Sequence, residues 1–421
     1  MNLHNLLLYL SSVAVFAIGT LQAANLTADM GVSSAGYRLF ALYNHPNEAS
    51  LFHVPSRYSV TPETSLRQDA WIRYQQGGFS ALLTGRYTLL NNQASQGDFF
   101  ANEFYYDAPF GAFNFSVGKK ILGWDFGQAF RPMDVIQRED RRRLIQTDLL
   151  GLPLVAIERF TDKDAYTFVF AHRLAAEGLD VAPGRNELAV KYFRTFTGSD
   201  LAGVAHWSEP EGVGAGLGLS SVIGDTLELH GSFFVREHCQ KFSNLLAASG
   251  PVITDRNPAG FTHRNTCAKV VVGASWTDAS GLGVLVEAWH DGEAHTLDEW
   301  REERDLLKRQ RALLEKSAIP PAAVFQNLSA QQQFLDQPVL LENNVLLRLS
   351  YEGSRFRPSL ELLLTPEDLG LVVTARGDYE MSTHLHLVGA ARWFTGASGS
   401  AYSEIPNDLA LFVGIEVSFA P

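Results

Sequence analysis

The chain has 421 residues, a formal net charge of −12 at pH 7 and a mean hydropathy of −0.04. The acidic balance argues against nucleic acid as a partner. No stretch of about 18 uninterrupted apolar residues follows residue 24, which argues against transmembrane helices in that part of the chain. The aromatic content of 11%, the 35 glycines and the 4 methionines favour β structure, because aromatics suit pleated surfaces and glycines suit turns.

The N-terminus has the pattern of a secretory signal. An apolar run extends from Leu6 to Ile18, and the small-residue end Leu21-Gln22-Ala23 follows it. The pattern predicts a signal peptide over residues 1–23 and a mature domain over 24–421, although the first five residues carry no Lys or Arg. A single membrane anchor is the alternative, but the run is shorter than the roughly 20 residues that a spanning helix needs.

Period-two alternation of apolar and polar residues recurs in segments of about ten residues, as strands with one lipid-facing side require. Candidate strands lie at residues 34–44, 65–75, 79–90, 99–106, 112–122, 152–160, 165–172, 186–196, 200–207, 213–222, 226–237, 267–277, 282–291, 341–352, 356–365, 370–379, 384–394 and 408–419. The sequence therefore predicts an all-β chain that forms an antiparallel up-and-down transmembrane β-barrel of about 18 strands, with 16 as the alternative count.

The connections between these strands alternate in length along the chain. Short turns are predicted at residues 76–78, 107–111, 161–164, 197–199, 223–225, 278–281, 353–355 and 380–383, and long loops at 45–64, 91–98, 123–151, 173–185, 238–266, 292–340 and 395–407. Outer-membrane barrels place short turns on the periplasmic side and long loops outside. A secreted β-sandwich or β-solenoid is the alternative, but neither has a reason to sort its loops by length.

This pattern predicts a location in the outer membrane of a Gram-negative bacterium, with membrane lipid, lipopolysaccharide and the barrel-assembly machinery as partners. The C-terminus departs from the usual barrel ending, because Phe419 is followed by Ala420 and Pro421 instead of being last. Eighteen-strand barrels occur as trimers and as monomers, so a homotrimer and a monomer both remain open.

The polar parity of the strands predicts a charged lumen, because a charged side chain facing lipid near the midplane costs on the order of 2 to 4 kcal/mol. The candidate pore-lining residues on strands are Arg73, Arg86, Glu103, Lys120, Lys191, Glu228, Arg236, Glu287, Arg348, Glu361, Arg376, Arg392 and Glu416. These side chains either select solutes or pair across strands to brace the wall, and the sequence leaves both roles open.

Residues 118–143 are the most distinctive segment. A Gly-Lys pair at 118–119 leads through Trp124 and Gly127 into a Pro-x-Asp sequence at 132–134. This pattern resembles that of several porin-like and uncharacterised outer-membrane families, including alginate-export-like barrels. The resemblance covers this loop closely and the remainder only as a rhythm of strands and turns, so it implies the class of barrel and no particular substrate.

The long loop over residues 123–151 is basic and completes the set of pore-lining candidates. Its arginines are Arg131, Arg138, Arg141, Arg142 and Arg143. Folded into the lumen, they would form an electropositive constriction for anionic solutes. Folded outside, they would pair with nearby carboxylates or with lipopolysaccharide phosphates. We favour the inward position, with Arg131, Arg138 and Arg142 lining the pore.

The two cysteines, Cys239 and Cys267, fall at the feet of the predicted loop 238–266. Neighbouring antiparallel strands would bring these positions together, so we expect a disulfide. A zinc site with His238 and His263 is the weaker alternative, and we expect no metal.

The predicted loop 292–340 contains a helical insertion. Apolar residues recur near helical spacing between many charged residues over 297–316, and a second helix is possible through 322–336 after Pro320 and Pro321. A helical hairpin could plug or cap the pore, but a surface helix with solvated charges, packed on neighbouring loops, is the interpretation we favour.

No nucleophile elbow, metal-binding His pair on a helix or paired-carboxylate signature is found. Two histidines on one strand face, His384 and His386, are weak evidence for an enzyme. The predicted function is a porin-like channel for passive diffusion of small polar, possibly anionic, solutes, without a cofactor. The alternatives are a non-conducting or plugged barrel that acts as a receptor, export component or structural protein, and an outer-membrane hydrolase.

Overall fold

The computed structural model describes residues 32–91, 94–137, 144–145, 149–173, 185–209, 211–246, 250–316, 319–337 and 339–419. The predicted signal peptide and the predicted pore-lining residues Arg138 and Arg142 lie outside these ranges. The strands are β1 (Val32–Pro46), β2 (Thr64–Gln76), β3 (Phe79–Leu90), β4 (Gln96–Phe110), β5 (Phe113–Lys120), β6 (Leu152–Phe160), β7 (Asp164–Arg173), β8 (Arg185–Phe196), β9 (Ser199–Ser208), β10 (Gly212–Ile223), β11 (Leu227–Asn244), β12 (Ala259–Thr277), β13 (Leu282–Asp291), β14 (Asn343–Tyr351), β15 (Phe356–Thr365), β16 (Gly370–Ser382), β17 (Leu385–Gly396) and β18 (Asn407–Phe419).

These strands close into one barrel. Each strand pairs antiparallel with its neighbours in the chain, and β1 pairs with both β18 and β2, so the sheet has no free edge. The prediction of an 18-stranded antiparallel up-and-down barrel is confirmed. We call the end of the barrel with the short connections the turn end, and the opposite end, where the long connections lie, the loop end.

Most strand bounds agree with the prediction, but two connections were wrong. The predicted loop 238–266 is mostly strand, because β11 continues to Asn244 and β12 begins at Ala259. The predicted turn at 107–111 is shorter, because Pro109 still pairs with Asn114 across the β4–β5 hairpin. Alternation disappears where a strand rises beyond the apolar band, since both faces can then be polar.

Side-chain alternation sorts the residues of each strand between two surfaces, because successive Cβ atoms point to opposite faces of a sheet. On β11, Phe234 is fully buried inside the barrel, whereas Phe233 and Val235 are exposed on its outer surface. Large apolar side chains stay exposed on the outside of most strands, for example Phe104, Phe168, Leu217, Val272, Leu360 and Val413. This outer surface is the one that a lipid environment would cover.

The connection between β13 and β14 contains two helices at the loop end, α1 (Leu297–Lys316) and α2 (Pro321–Gln331), and a 3-10 helix over Gln332–Asp336. The helices fall where the sequence predicted a helical insertion. Neither is long and apolar enough to cross a membrane, in the part of the chain that the structure describes.

Candidate functional site: a divided lumen

The described residues of the connection between β5 and β6, which are 121–137, 144–145 and 149–151, fold into the barrel, and we call them the lumen loop. Two carboxylates fix its internal shape. The Asp134 carboxylate accepts hydrogen bonds from the backbone N–H of Trp124 at 2.6 Å and Asp125 at 3.1 Å, and it pairs with Arg131 at 3.0 Å. The Asp125 side chain accepts bonds from the backbone N–H of Gly127 and Met133. Burial raises the pKa of Asp134 to about 6, although Arg131 opposes the shift.

The lumen loop is fastened to the far wall by Glu287 on β13. One carboxylate oxygen accepts the backbone N–H of Gln128 at 2.6 Å, and the other accepts those of Ala129 at 2.9 Å and Phe130 at 3.2 Å. His230 on β11 lies 2.8 Å away through Nε2. The side chains of Glu287 and His230 are fully buried. A buried carboxylate is stable only when its lone pairs are satisfied, and these four contacts satisfy them.

One side of the lumen is filled by the packing of this loop against the wall. Strands β6 to β10 turn small or medium residues inward, and Trp124, Met133, Val135 and Ile136 of the loop pack on them. The inward wall residues are Leu152, Leu154, Ala156, Val169, Ala171, Ala189, Ala202 and Val204, with Gly214, Gly216 and Gly218 on β10. A Cβ atom at Gly216 would lie 2.9 Å from Phe234, so glycine is required for this close approach. We call this side, bounded by β6–β11, the packed side.

The other side of the lumen holds a cavity of about 1800 Å³. Inward residues of β14–β18 border it from Arg357 and Asp378 near the turn end to Phe394 and Asn407 near the loop end. Residues of β1, β3, β4, β6, β7 and β11–β13 border it as well. We call this the open side. Arg131 of the lumen loop also borders this cavity. The loop contacts the wall of the open side as well, because Arg376 on β16 donates a hydrogen bond to the Leu144 carbonyl at 3.3 Å.

The predicted pore-lining residues that the structure describes divide into those that border the cavity and those that do not. Eight of them border the cavity: Arg86, Arg131, Arg236, Arg348, Glu361, Arg376, Arg392 and Glu416. Six face the interior away from it: Arg73, Glu103, Lys120, Lys191, Glu228 and Glu287. Arg73 pairs with Glu103 at 3.3 Å, and Lys120 pairs with Asp107 at 3.0 Å. Ion pairs therefore occur away from the cavity and, between Arg348 and Glu361, beside it as well.

Four arginines follow one another around the wall of the open side, on β14–β17. Arg348 pairs with Glu361 at 2.6 Å, Arg376 with Asp378 at 2.9 Å and Arg357 with Glu380 at 3.0 Å. Arg392 donates to the Thr374 hydroxyl at 2.8 Å. The carboxylates orient the guanidinium groups while leaving them at the cavity surface. Arg357 was not among the predicted residues, although it has the same parity as Glu361 on the predicted strand 356–365.

A buried ionic cluster that the sequence did not reveal lies at the loop end of β7–β11. Arg185 contacts Glu187 at 2.8 Å and Glu211 at 3.3 Å, while Arg173 contacts Glu187 at 3.3 Å. Arg236 also pairs with Glu211. Each of the three arginines contacts one or both of the two glutamates, and these ion pairs brace the wall above the packed side. The members come from three strands, β7, β8 and β11, and from the connection between β9 and β10, and only the barrel register brings them together.

Helices α1 and α2 cover part of the loop end. Arg311 of α1 donates to the carbonyls of Leu51 and Ser50 in the β1–β2 loop, and Trp300 donates to the Gly399 carbonyl in the β17–β18 loop at 3.1 Å. On the opposite side, Glu303 accepts two hydrogen bonds from Asn244 of β11. Burial raises the pKa of Glu303 to about 7. The helices therefore form a lid that rests on several loops.

Cys239 and Cys267 form a disulfide in the structure, with their Cα atoms 6.0 Å apart. Their predicted position at the feet of a loop was wrong, because both lie within the extended β11–β12 hairpin, where Cys239 is opposite Arg264 and Cys267 opposite Arg236. Beyond the disulfide the hairpin carries Lys241, which contacts Glu299 of α1. The described residues contain no group of three or more His, Cys, Asp or Glu side chains that could hold a metal ion.

The fold and the inward loop define the class as a porin-like β-barrel. No protein-family model and no curated protein matches the sequence. Wzi of Escherichia coli, described as a carbohydrate-binding outer-membrane β-barrel involved in group 1 capsule assembly, matches with a TM-score of 0.54 and 10% identity, over 97% of this chain and 88% of that chain. OccAB1 of Acinetobacter baumannii matches with a TM-score of 0.54 and 9% identity, over 92% and 96%. OccK11 of Pseudomonas aeruginosa matches with a TM-score of 0.51 and 9% identity, over the same shares. At these identities the likeness establishes the fold alone.

Proposed function

We propose that this protein is an outer-membrane channel through which small polar solutes, preferentially anions, diffuse along the open side of the lumen. In this proposal the chain is exported by the signal over residues 1–23, assembled by the barrel-assembly machinery and surrounded by lipid and lipopolysaccharide. Its outer apolar surface and porin-like fold support the location. Passage is passive and needs no cofactor.

The observation that supports the proposal most directly is the cavity of about 1800 Å³ beside the four arginines of β14–β17. Its lining comes from both ends of β14–β18, so the space follows the wall along the barrel axis. Arg348, Arg376 and Arg392 lie on one wall, and Arg131 of the lumen loop faces the same space. Low-dielectric walls focus the field of such groups, which favours anions over cations in a narrow path.

The test is single-channel recording of the refolded full-length protein in planar bilayers, with reversal potentials measured in asymmetric KCl. We expect stable conductance steps and a chloride-favouring reversal potential. Arg392→Gln should lower the chloride-to-potassium permeability ratio by on the order of twofold, because it removes one positive charge from the path.

The matched control is Arg194→Gln, which removes a positive charge from an arginine near the turn end whose partner is Asp164. Arg194 does not border the cavity, so its loss should leave the permeability ratio unchanged. A cation-favouring wild-type channel, or equal effects of the two variants, would contradict the anion preference.

A second candidate is a non-conducting barrel that binds a ligand at its loop end. The observation in its favour is the lid, because α1 contacts the β17–β18 loop through Trp300 and the end of β11 through Glu303, while α2 contacts Thr254 through Asn327. Among the similar structures, Wzi is described as a carbohydrate-binding barrel. A correctly folded protein that produces no conductance steps would support this candidate and remove the channel proposal.

A further inference from the structure

The contacts of the lumen loop with its distant wall are concentrated on one side chain. Glu287 lies on β13, while the loop starts from β5 and returns to β6, so this contact bridges well-separated parts of the ring. The loop reaches it through three successive backbone N–H groups, those of Gln128, Ala129 and Phe130. Successive N–H groups that converge in this way form an anion-binding concavity, and here the anion is a side chain of the same protein.

The local sequence of the loop builds this concavity. A Cβ atom at Gly127 would collide with the Phe130 carbonyl, so only glycine permits the tight turn before the three donors. The Phe130 ring then stacks on Trp289, two residues beyond Glu287 on β13, with ring centroids 5.5 Å apart. Polar and aromatic contacts therefore act on the same three-residue segment from the same strand.

The wall also holds Glu287 in position. His230 of β11 contacts the oxygen that binds Gln128, at 2.8 Å. Gly273 lies between them on β12, and a Cβ atom there would lie 2.8 Å from the Glu287 Cγ atom. The glycine thus lets the two side chains meet across the intervening strand, and His230 contacts the same carboxylate that binds the loop.

We infer that Glu287 is the positioning residue of the lumen loop. Its hydrogen bonds to the backbone N–H groups of residues 128–130 keep Arg131 and the rest of the loop at the edge of the cavity, and so set the width of the path. The inference deepens the proposed channel function and rests on it for its effect on conductance. The hydrogen bonds between Glu287 and residues 128–130 can be tested whether or not the barrel conducts.

The first measurement is hydrogen exchange of the backbone amides in the refolded full-length protein. In Glu287→Gln we expect exchange of residues 128–130 to be at least tenfold faster, because an amide has one acceptor oxygen and no charge. The amide of Met133, which Asp125 holds within the loop, should keep its protection. Equal acceleration at Met133 would indicate general loosening of the loop and would overturn the inference.

Glu287→Asp separates the effect of the three hydrogen bonds from the effect of the negative charge. It can also be measured if Glu287→Gln does not assemble. It keeps the negative charge but shortens the side chain by one methylene, so the carboxylate no longer reaches all three donors. We expect Glu287→Asp to resemble Glu287→Gln in exchange. Wild-type protection in Glu287→Asp would mean that charge alone matters, and it would overturn the inference.

Bilayer recording then tests the consequence. Both variants should show a mean conductance or an open-channel current noise at least twofold above that of the wild type. The control is Asp278→Asn, which removes a carboxylate from the β12–β13 turn, where its partners are the local residues Ser280 and Leu282. This variant should behave as the wild type. Lost protection at residues 128–130 with unchanged conductance and noise would overturn the link between Glu287 and the width of the path. A folded wild-type barrel that gives no conductance steps would remove the channel proposal, but the exchange test of the Glu287 hydrogen bonds would still hold.

Discussion

The packed side and the open side of the lumen are built from the same strand repeat but from different inward residues. Strands β6–β10 turn alanine, valine and glycine inward, and the lumen loop fills the space that these short side chains leave. Strands β14–β17 turn Arg348, Glu361, Arg376 and Arg392 inward, and a cavity remains beside them. The comparison teaches that the size of the inward residues decides where a loop can dock inside a barrel.

The two sides also differ in what stabilises them. On the packed side, apolar side chains of the loop and the wall exclude water from each other, and each buried large side chain contributes roughly 1.5 to 3 kcal/mol. On the open side, ion pairs border a solvent-filled space, where each pair contributes about 0 to 1 kcal/mol. Changes on the packed side should therefore affect stability, whereas changes on the open side should affect selectivity.

The largest expected effect concerns the hairpin that rises above the packed side and supports the lid. Replacing both Cys239 and Cys267 with serine should lower the free energy of unfolding by about 3 to 4 kcal/mol, because the disulfide closes a segment of 28 residues. Urea unfolding of the refolded protein, followed by tryptophan fluorescence, measures the change. A loss below about 1 kcal/mol would show that strand pairing alone holds the hairpin.

The next effect tests directly whether the packed side and the open side differ in how tightly they are packed. Gly218→Leu should destabilise the barrel by about 1 to 3 kcal/mol, because the new side chain collides with Met133 and Phe126 of the loop. Ser359→Leu is the matched change on the open side, where the residue borders the cavity. It should cost less than about 0.5 kcal/mol. Equal losses in urea unfolding would mean that the open side is as tightly packed as the other.

The smallest effect is a pH dependence of the lid. Glu303 has a pKa raised to about 7, so the protonated form is favoured in the fold, and this stability is complete below about pH 4.5 and is lost as pH rises through 7. Hydrogen exchange of α1, corrected for intrinsic rates, should show looser attachment to β11 at pH 8 than at pH 5, by about 1 to 2 kcal/mol.

Glu303→Gln should abolish this difference, because glutamine stays neutral throughout. Asp305→Asn, a change at an exposed carboxylate of the same helix, should retain it. A pH difference that survives in Glu303→Gln would assign the titration to another group.

Much of the barrel could be predicted from local sequence. Residues 152–160, 282–291 and 356–365 were predicted as strands with the bounds that the structure shows. Within the apolar band each strand must alternate, so the pattern is strong and needs no knowledge of its partners. The β11–β12 extension was missed because Gln240 and Lys241 continue a polar run that looks like a loop.

The lumen loop shows where local sequence stops being sufficient. Its basic residues predicted an inward position, and the described part of the loop lies inside the barrel, but Glu287 was predicted only to line the pore. Nothing near Glu287 in the sequence indicates that its partners are the backbone N–H groups more than 150 residues earlier, from Gln128 to Phe130. Small inward residues on β6–β10 were a signal for docking that could have been used.

Local sequence was enough to predict the inward parity, the alternation of short and long connections and the number of strands to within two, because these depend on the period of two residues and on the cost of charge in lipid. Only the tertiary structure decided which inward charges meet and which border a cavity. Those contacts depend on closure of the ring and on the path of the lumen loop across it, which join residues far apart in the chain.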